Sequence, residues 1–453
     1  MNGRPAARWY YGWNIVAAAS LLTMMTVGMR LGIGPFFMPM LEDLGCGRSV
    51  LSGIVAAGML AYGLAMPVAG WLVGRFGTRT VLLLGTGLVL FSSWWTTVAL
   101  TPADFLWSFG VLLSVGLGFT SPVALTPVIS RWFTRQRGMA LFFLSTGSMA
   151  GMAVMTPVLT AAIEAVGWRA TMLGFAGAFA LTTVPLALLV IRDRAPEGTD
   201  LLPAQKTALA ARPAPVAQTA SSAETAPSAP SAPTARPAPA HAAMRPAATA
   251  PGVGFGAALR TPPFWMIFLG LFACGFSMNL LGTHGVPMLM DHGFDAMTSA
   301  GGIGVIGLVA IAGTVVLGRL SDRVPRSRIL AAIYFIRGLG FFALLVVGVK
   351  WELYLAAAIG GLVWAGSIAA SSAILADVYG VRLVGLLYGW AYLGHQLGAM
   401  AGAWLGGWAY ERYATHWIAF GSAGVLLLAA AAVSLRLGGA RPMLPPAAVP
   451  ARG

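Results

Sequence analysis

The chain has 453 residues, of which 58% are hydrophobic and only 9% charged, and its mean hydropathy is +0.78. Soluble domains carry about 25% charged residues, so a soluble protein is excluded. The net charge of +14 does not point to nucleic acid, because 26 of the 28 basic residues are Arg set in short loops between apolar runs, the pattern that orients helices in a bilayer.

Arg4 and Arg8 precede an apolar run from Trp13 to about Met38, which is too long for the apolar segment of a secretory signal and is predicted to be an uncleaved first helix. At about 20 residues per span, helices 2 to 6 are predicted over 49–73, 80–100, 105–130, 138–162 and 169–191. Helices 7 to 12 follow over 262–288, 296–319, 328–349, 352–376, 383–406 and 415–437. Residues 195–255 hold 11 of the 28 prolines among Ala, Ser and Thr, a composition with no core of its own that predicts a disordered or polyproline-like linker. The predicted organisation is a six-helix bundle over 1–194, the linker over 195–255 and a second six-helix bundle over 256–453. Placing both termini and the linker on one side puts 22 Lys and Arg there and four (Arg48, Arg169, Lys350, Arg412) on the other, so that side is predicted to be cytoplasmic. Cys46 and Cys274 stand in unrelated apolar contexts, which excludes a disulfide framework.

The two halves repeat. PMLEDLG at 39–45 matches PMLMDHG at 287–293 in five of seven positions at an offset of 248. At the same offset Leu72 and Arg75 align with Leu320 and Arg323, and at 247 Gly138, Gly147 and Gly151 align with Gly385, Gly394 and Gly398. A duplicated six-helix unit explains these matches; apolar composition alone does not.

GRLSDRVPRSR at 318–328 resembles the G-x-L-x-D-R-x-G-x-R loop between helices 2 and 3 of the major facilitator superfamily. GWLVGRFGTR at 70–79 resembles it less completely, with Gly74 where the motif has Asp. WFTRQRGMALFFLSTG at 132–147 resembles the monocarboxylate porter signature at the start of helix 5, with Phe142 where that family prefers Gly. RWYYGW before helix 1 looks closer to the related oxalate/formate antiporter group. The resemblance covers the chain outside the linker and implies an all-α integral membrane fold, twelve transmembrane helices in 6+6 pseudo-symmetric bundles, and a transporter rather than an enzyme.

It also implies a conformational lock built from the two loop copies. Gly70, Arg75 and Arg323 are motif positions, and Asp322 would meet the start of helix 5, where free N–H groups and Arg135 or Arg137 attract negative charge. With Gly74 replacing the Asp of the first copy, either the matching lock is weakened or Asp377 supplies the charge to Arg75 and Arg79. Two departures stand out: residues 296–318 lack the Asp and Arg that monocarboxylate porters place in helix 8, and helix 11 lacks the basic residue of the oxalate/formate group.

The residues themselves suggest where a substrate binds. Arg30 lies inside helix 1, where a guanidinium costs roughly 2.5 to 3.5 kcal/mol on insertion scales. The acidic residues fall near helix ends, so its counter-charge is either an anionic ligand, which the planar fork suits, or it snorkels or bonds carbonyls near Pro35 and Pro39. Monocarboxylate porters carry a functional Lys in helix 1, which alignment on Phe36 and Phe37 places at Leu31, next to Arg30.

In helix 7, Asn279 and His284 stand near Gly282, Gly285 and Pro287, which predict an interrupted helix of the kind that binds substrate at the midplane. In helix 11, Gly394, Gly398, Gly402 and Gly406 form a packing stripe, and His395 and Gln396 beside it either face substrate and relay a proton or join two helices. Arg337 in helix 9 reads as structural.

No nucleotide loop, HExxH or Cys–His cluster occurs, and no cofactor is expected. The reading is a monomeric secondary transporter of the inner membrane, with both termini cytoplasmic, carrying a small organic anion such as a monocarboxylate, with protons as a possible co-substrate. Two alternatives stay open: efflux of an amphipathic compound, favoured by 15 Trp and 21 Met, and a transporter-like metabolite receptor signalling through the linker.

Overall fold

The computed structural model describes residues 10–133, 136–193, 195, 255–320, 323–379 and 381–437; side chains at 137–138 and 381–385 are outside the description. Residues 196–254 of the predicted linker and the loop residues Arg135 and Asp322 therefore lie outside the described residues, as does the side chain of Arg137.

The first six spans are α1 (Gly12–Leu31, continued by Gly34–Leu44), α2 (Arg48–Phe76), α3 (Thr78–Val98), α4 (Pro102–Trp132), and α5 and α6 within Arg137–Pro185, which runs on to Val190. Gly167, with φ of 80°, divides α5 from α6. The second six are α7 (Pro262–Asp291), α8 (Ala296–Leu320), α9 (Arg326–Val346), α10 (Lys350–Leu362, resuming at Gly366–Tyr379), α11 (Val381–Tyr413) and α12 (Trp417–Arg436). Among the described residues ten segments are long and apolar enough to cross a membrane; dividing Met139–Val190 at Gly167 and adding α11 gives twelve spans.

The helix ends follow local chemistry. Gly45 ends α1 in the left-handed conformation at φ 56°, which glycine adopts without a Cβ penalty. Thr101 accepts from the Asp104 N–H at the start of α4, and Asp295 accepts from the Thr298 N–H at 2.8 Å at the start of α8. Residues Leu106–Leu112 of α4 form a π-helical turn.

Packing explains the glycine repeat. The closest pairs within the halves are α1 on α5 and α7 on α11. A Cβ at Gly147 or Gly151 would stand 2.3 or 2.4 Å from the carbonyl oxygens of Ser20 and Met24, and at their counterparts Gly394 and Gly398 it would stand 2.8 or 2.0 Å from those of Phe268 and Phe272. The aligned glycines thus do one job twice, letting two backbones touch in a solvent that offers no hydrophobic drive between helices.

One expectation is corrected. The α7 helix is not interrupted: it runs unbroken from Pro262 to Asp291 with Pro287 inside it. Gly282 serves close approach instead, since its Cβ would stand 3.2 Å from the Leu31 oxygen, and Gly34 is placed likewise at 3.1 Å from the Gly282 oxygen. The breaks fall in α1, between Leu31 and Gly34, in α4, between Phe119 and Pro122, and in α10, between Leu362 and Gly366.

Between the halves, α2 packs on α11, α5 on α8, and α1 on α7. We call the side of the chain ends and the 6–7 connection the terminal side, and the opposite one distal. The contacts run from the distal end (Arg48 to Asp291) to mid-span (Gly63 to Gln396). Toward the terminal side, a Cβ at Gly70, Gly74 or Gly389 would meet nothing within 4 Å, and Val68, Trp71, Phe143, Val316, Leu386 and Trp390 are exposed. Among the described residues, the halves are joined distally and part toward the terminal side.

Candidate functional site

Arg30 sits on the last turn of the first segment of α1, two residues before its break. Its Cζ lies 4.3 Å over the ring of Tyr62 on α2, and one terminal nitrogen is 3.5 Å from the Met59 sulfur. Its Nε is buried without a hydrogen-bond partner, and no ion pair to it occurs among the described residues. An aromatic face stabilises a desolvated cation by about 2 kcal/mol, short of the insertion cost given above. Among the described residues the guanidinium bonds no main-chain oxygen, and it stays at mid-span beside Tyr62 and Met59. It borders a cavity of about 30 Å³ between α1, α2 and α4, walled by Met29, Ile33, Met59, Tyr62 and Phe109; Phe109 comes from the π-helical turn of α4.

From the other half, α11 brings His395 and Gln396 to the same stretch of α2. Gln396 donates to the Met59 carbonyl at 3.4 Å, and its oxygen lies 3.0 Å from His395 Nδ1. Because the amide nitrogen is the donor to Met59, its oxygen accepts and His395 Nδ1 donates. His395 Nε2 is buried and without a partner, and its ring stacks on Tyr392 at 4.8 Å. This crossing requires Gly63, where a Cβ would come within 2.8 Å of the Gln396 side chain. Met59 is therefore touched by Arg30 through its sulfur and by Gln396 through its carbonyl.

Two predicted residues lie apart from this cluster. His284 is buried toward the distal side, 2.8 Å from the Ala403 carbonyl and 3.4 Å from Ser52 Oγ, with Phe37 edge-on at 4.9 Å. Its Nε2 ties α7 to α11 and α2 through these two contacts. Asn279 donates to the Gly275 carbonyl of its own helix at 2.9 Å, while its Oδ1 is buried with no partner.

The loop residues behave differently from the expected lock. Arg75 is exposed, 5.9 Å from the Trp71 ring, and Arg323 is exposed. Asp377 pairs with Arg326 of its own half at 2.5 and 2.6 Å, so it does not serve Arg75 or Arg79; Arg79 instead donates to the Ile191 carbonyl at 2.6 Å. Arg326 opens α9 and Asp377 lies in the last turn of α10, so the pair closes within one half.

Arg337 finds partners for its two terminal nitrogens within the protein, while its Nε is buried without one. One nitrogen is 3.2 Å from the Cys274 sulfur, and another donates to the carbonyls of Val363 and Trp364, which the break in α10 leaves without helical partners.

The family model for the Major Facilitator Superfamily matches residues 16–351 and 306–452. The chain belongs to the Major Facilitator Superfamily. Among similar sequences, the uncharacterized MFS-type transporter YcxA of Bacillus subtilis (strain 168) is 26% identical over 392 residues, covering 84% of this chain and 83% of that one. The oxalate:formate antiporter of Oxalobacter formigenes is 21% identical over 402 residues, covering 88% and 84%. A bacterial homolog of the human lysosomal transporter Spinster, solved inward-facing and unoccupied, superposes with a TM-score of 0.65 at 16% identity, over 96% of this chain and 98% of that one, which shows the shared fold. Within the superfamily the chain falls in the branch of the oxalate:formate antiporter and the monocarboxylate transporters. It is a multi-pass membrane transporter of the secondary type and not an enzyme.

Sequence reasoning missed Tyr62, Met59 and Gly63, which carry no charge and stand in an ordinary apolar run. It also missed the distal group of Arg48, Asp291, His416 and Glu411, although Arg48 was one of the four distal cations and Asp291 part of the repeated PMLMDHG.

Proposed function

We propose that this superfamily member carries a small organic anion, a monocarboxylate, with Arg30 as the group that takes the carboxylate. The supporting observation is a guanidinium at mid-span, touching a ring and a sulfur, with a buried Nε left open and no acidic partner among the described residues. A carboxylate supplies two acceptors in the plane of the fork. The similarity to an oxalate:formate antiporter agrees with an organic anion as cargo. Gln396 and His395 orient the ligand from the second half, and the unpartnered His395 Nε2 is the candidate carrier of a co-transported proton. Asn279 Oδ1 offers a further acceptor. By the positive-inside rule the terminal side is cytoplasmic and the membrane is the inner one, so the state described here faces inward.

Uptake of labelled monocarboxylates into proteoliposomes, with and without an imposed pH gradient, tests both parts. Saturable uptake lost in Arg30→Gln is expected, faster with the gradient. Equal rates with and without it would remove the proton. Undiminished transport by Arg30→Gln would remove the anion and favour efflux of an amphipathic compound, the reading that the exposed Trp71, Phe143 and Trp390 support.

A further inference from the structure

At the distal end the halves are held by a charged cluster. Arg48, which opens α2, grips Asp291, which ends α7, with two hydrogen bonds of 2.8 and 3.2 Å. The guanidinium also lies 3.9 Å over the Tyr410 ring of α11. His416, in the turn between α11 and α12, places Nε2 2.9 Å from Asp291 Oδ2, the same oxygen that Arg48 Nη1 holds, and its ring is 4.4 Å from Tyr410.

A second contact supports the first. The residue before α2 is Gly47, with no side chain to cap the helix, and the Ser49 N–H and hydroxyl are held at 2.6 and 2.8 Å by Glu411 of α11. At the repeat offset of 248 the equivalent of Gly47 is Asp295, which caps α8 from within its own half. The cap of α2 thus comes across the interface and is lost when the halves separate.

We propose that Arg48, Asp291 and His416 form a proton-read latch on the distal gate, which protonation of His416 loosens. His416 and Asp291 belong to the same half, and only Arg48 comes from the other. The attraction of Asp291 for His416 is kept whether the gate is open or closed. What closure adds is the Arg48–Asp291 pair, at any pH, and repulsion between Arg48 and an imidazolium on the same carboxylate oxygen, only when His416 is charged. Acid therefore disfavours the closed gate and, by reciprocity, opening favours the proton.

The other titratable groups near His416 are Tyr410 of α11, the buried His284 of α7, which also feels the charge of Arg48, and His292, whose ring is 6.0 Å away and whose burial and like-charged neighbour hold its pKa down. Glu411 is committed to Ser49 and is held below the range of a free Glu only by that contact in the closed gate. The latch rests on alternating access alone and not on the nature of the cargo. With the distal side periplasmic, a proton from outside opens the gate through which substrate enters.

The test uses the full chain in nanodiscs without substrate, carrying spin labels at the distal ends of the halves through Leu100→Cys and Trp351→Cys, with Cys46→Ser and the buried Cys274 retained. Between about pH 8 and about pH 5, either side of the histidine range, the ratio of long to short distances is expected to rise at least about 5-fold. His416→Gln should abolish this response, His416→Arg should give the long distance at both pH values, and His292→Gln should keep the response. An unchanged ratio in the otherwise native chain overturns the proposal without any variant, as does a full response in His416→Gln or a short distance in His416→Arg. Carboxylate uptake measured on the same protein reads the anion assignment separately, because loss of the latch leaves Arg30 in place.

Discussion

Two arginines lie at membrane depth, one in each half, and they are balanced in opposite ways. Arg337 is enclosed: sulfur, two carbonyls freed by the break in α10, and the Trp364 ring at 4.9 Å surround it. Arg30 has a ring, a sulfur and an open Nε beside a cavity. Both keep a buried Nε without a hydrogen-bond partner, so the difference lies at the terminal nitrogens: among the described residues Arg337 is given two carbonyls there and Arg30 none, which makes the first a structural plug and leaves the second open to a ligand. Depth in the membrane alone does not separate the two roles; the count of acceptors does.

The widest break in this comparison is Arg337→Leu. It leaves the Val363 and Trp364 carbonyls unpaired, at about 1 to 3 kcal/mol each, so unfolding in detergent should move down sharply, with transport lost only as folded protein is lost. Arg30→Gln should do the reverse. The melting temperature should hold while the loss of charge-assisted bonds, about 1.5 to 3 kcal/mol, weakens carboxylate uptake roughly 10- to 100-fold. Arg30→Lys, which keeps the charge and loses the fork, should fall between. A melting temperature that drops as far for Arg30→Gln as for Arg337→Leu would erase the distinction.

The glycines offer a second contrast. Gly398→Ala places a methyl 2.0 Å from the Phe272 oxygen, a backbone atom that cannot swing aside. Overpacking of this kind costs about 1 to 3 kcal/mol, readable as a lower unfolding midpoint. Gly389→Ala on the same helix meets nothing within 4 Å. It should raise the midpoint slightly through helix propensity, by up to about 1 kcal/mol.

What was legible in the sequence follows from which physics is local. Span number and position came through because apolar length is set by the bilayer; α2, α7 and α8 begin within a residue of their predicted starts. The glycine repeat at Gly147/Gly151 and Gly394/Gly398 was visible because close helix approach needs the same residue in both copies. Arg30 was legible as a charge out of place. The continuity of α7 was not, since Gly282 reads alike whether it breaks a helix or admits a neighbour, and only the Leu31 carbonyl decides. The pairing of Asp377 with Arg326 depended on which partner stands closer in space. The repeat also hid a divergence. Asp43 binds Arg169 and Trp168 in its own half, whereas its counterpart Asp291 reaches Arg48 in the other.

The smallest expected effect sharpens the contrast between a local cap and a borrowed one. Asp295 lies between α7 and α8, and its carboxyl is lowered from 3.8 to about 2, chiefly by the Thr298 hydroxyl, then the Thr298 N–H and Lys350. A depressed carboxyl stabilises the fold above its unfolded value and loses that contribution as pH falls through about 2. Amide exchange at Thr298 should therefore quicken below about pH 4 beyond the intrinsic trend, and Asp295→Asn should remove that extra dependence, because its amide cannot lose a charge. The Ser49 amide should instead follow the opening of the distal gate, since its acceptor, Glu411, is fixed to the other half. If both amides respond to pH alone, with no link to the distance between the halves, the cap of α2 is as local in effect as that of α8.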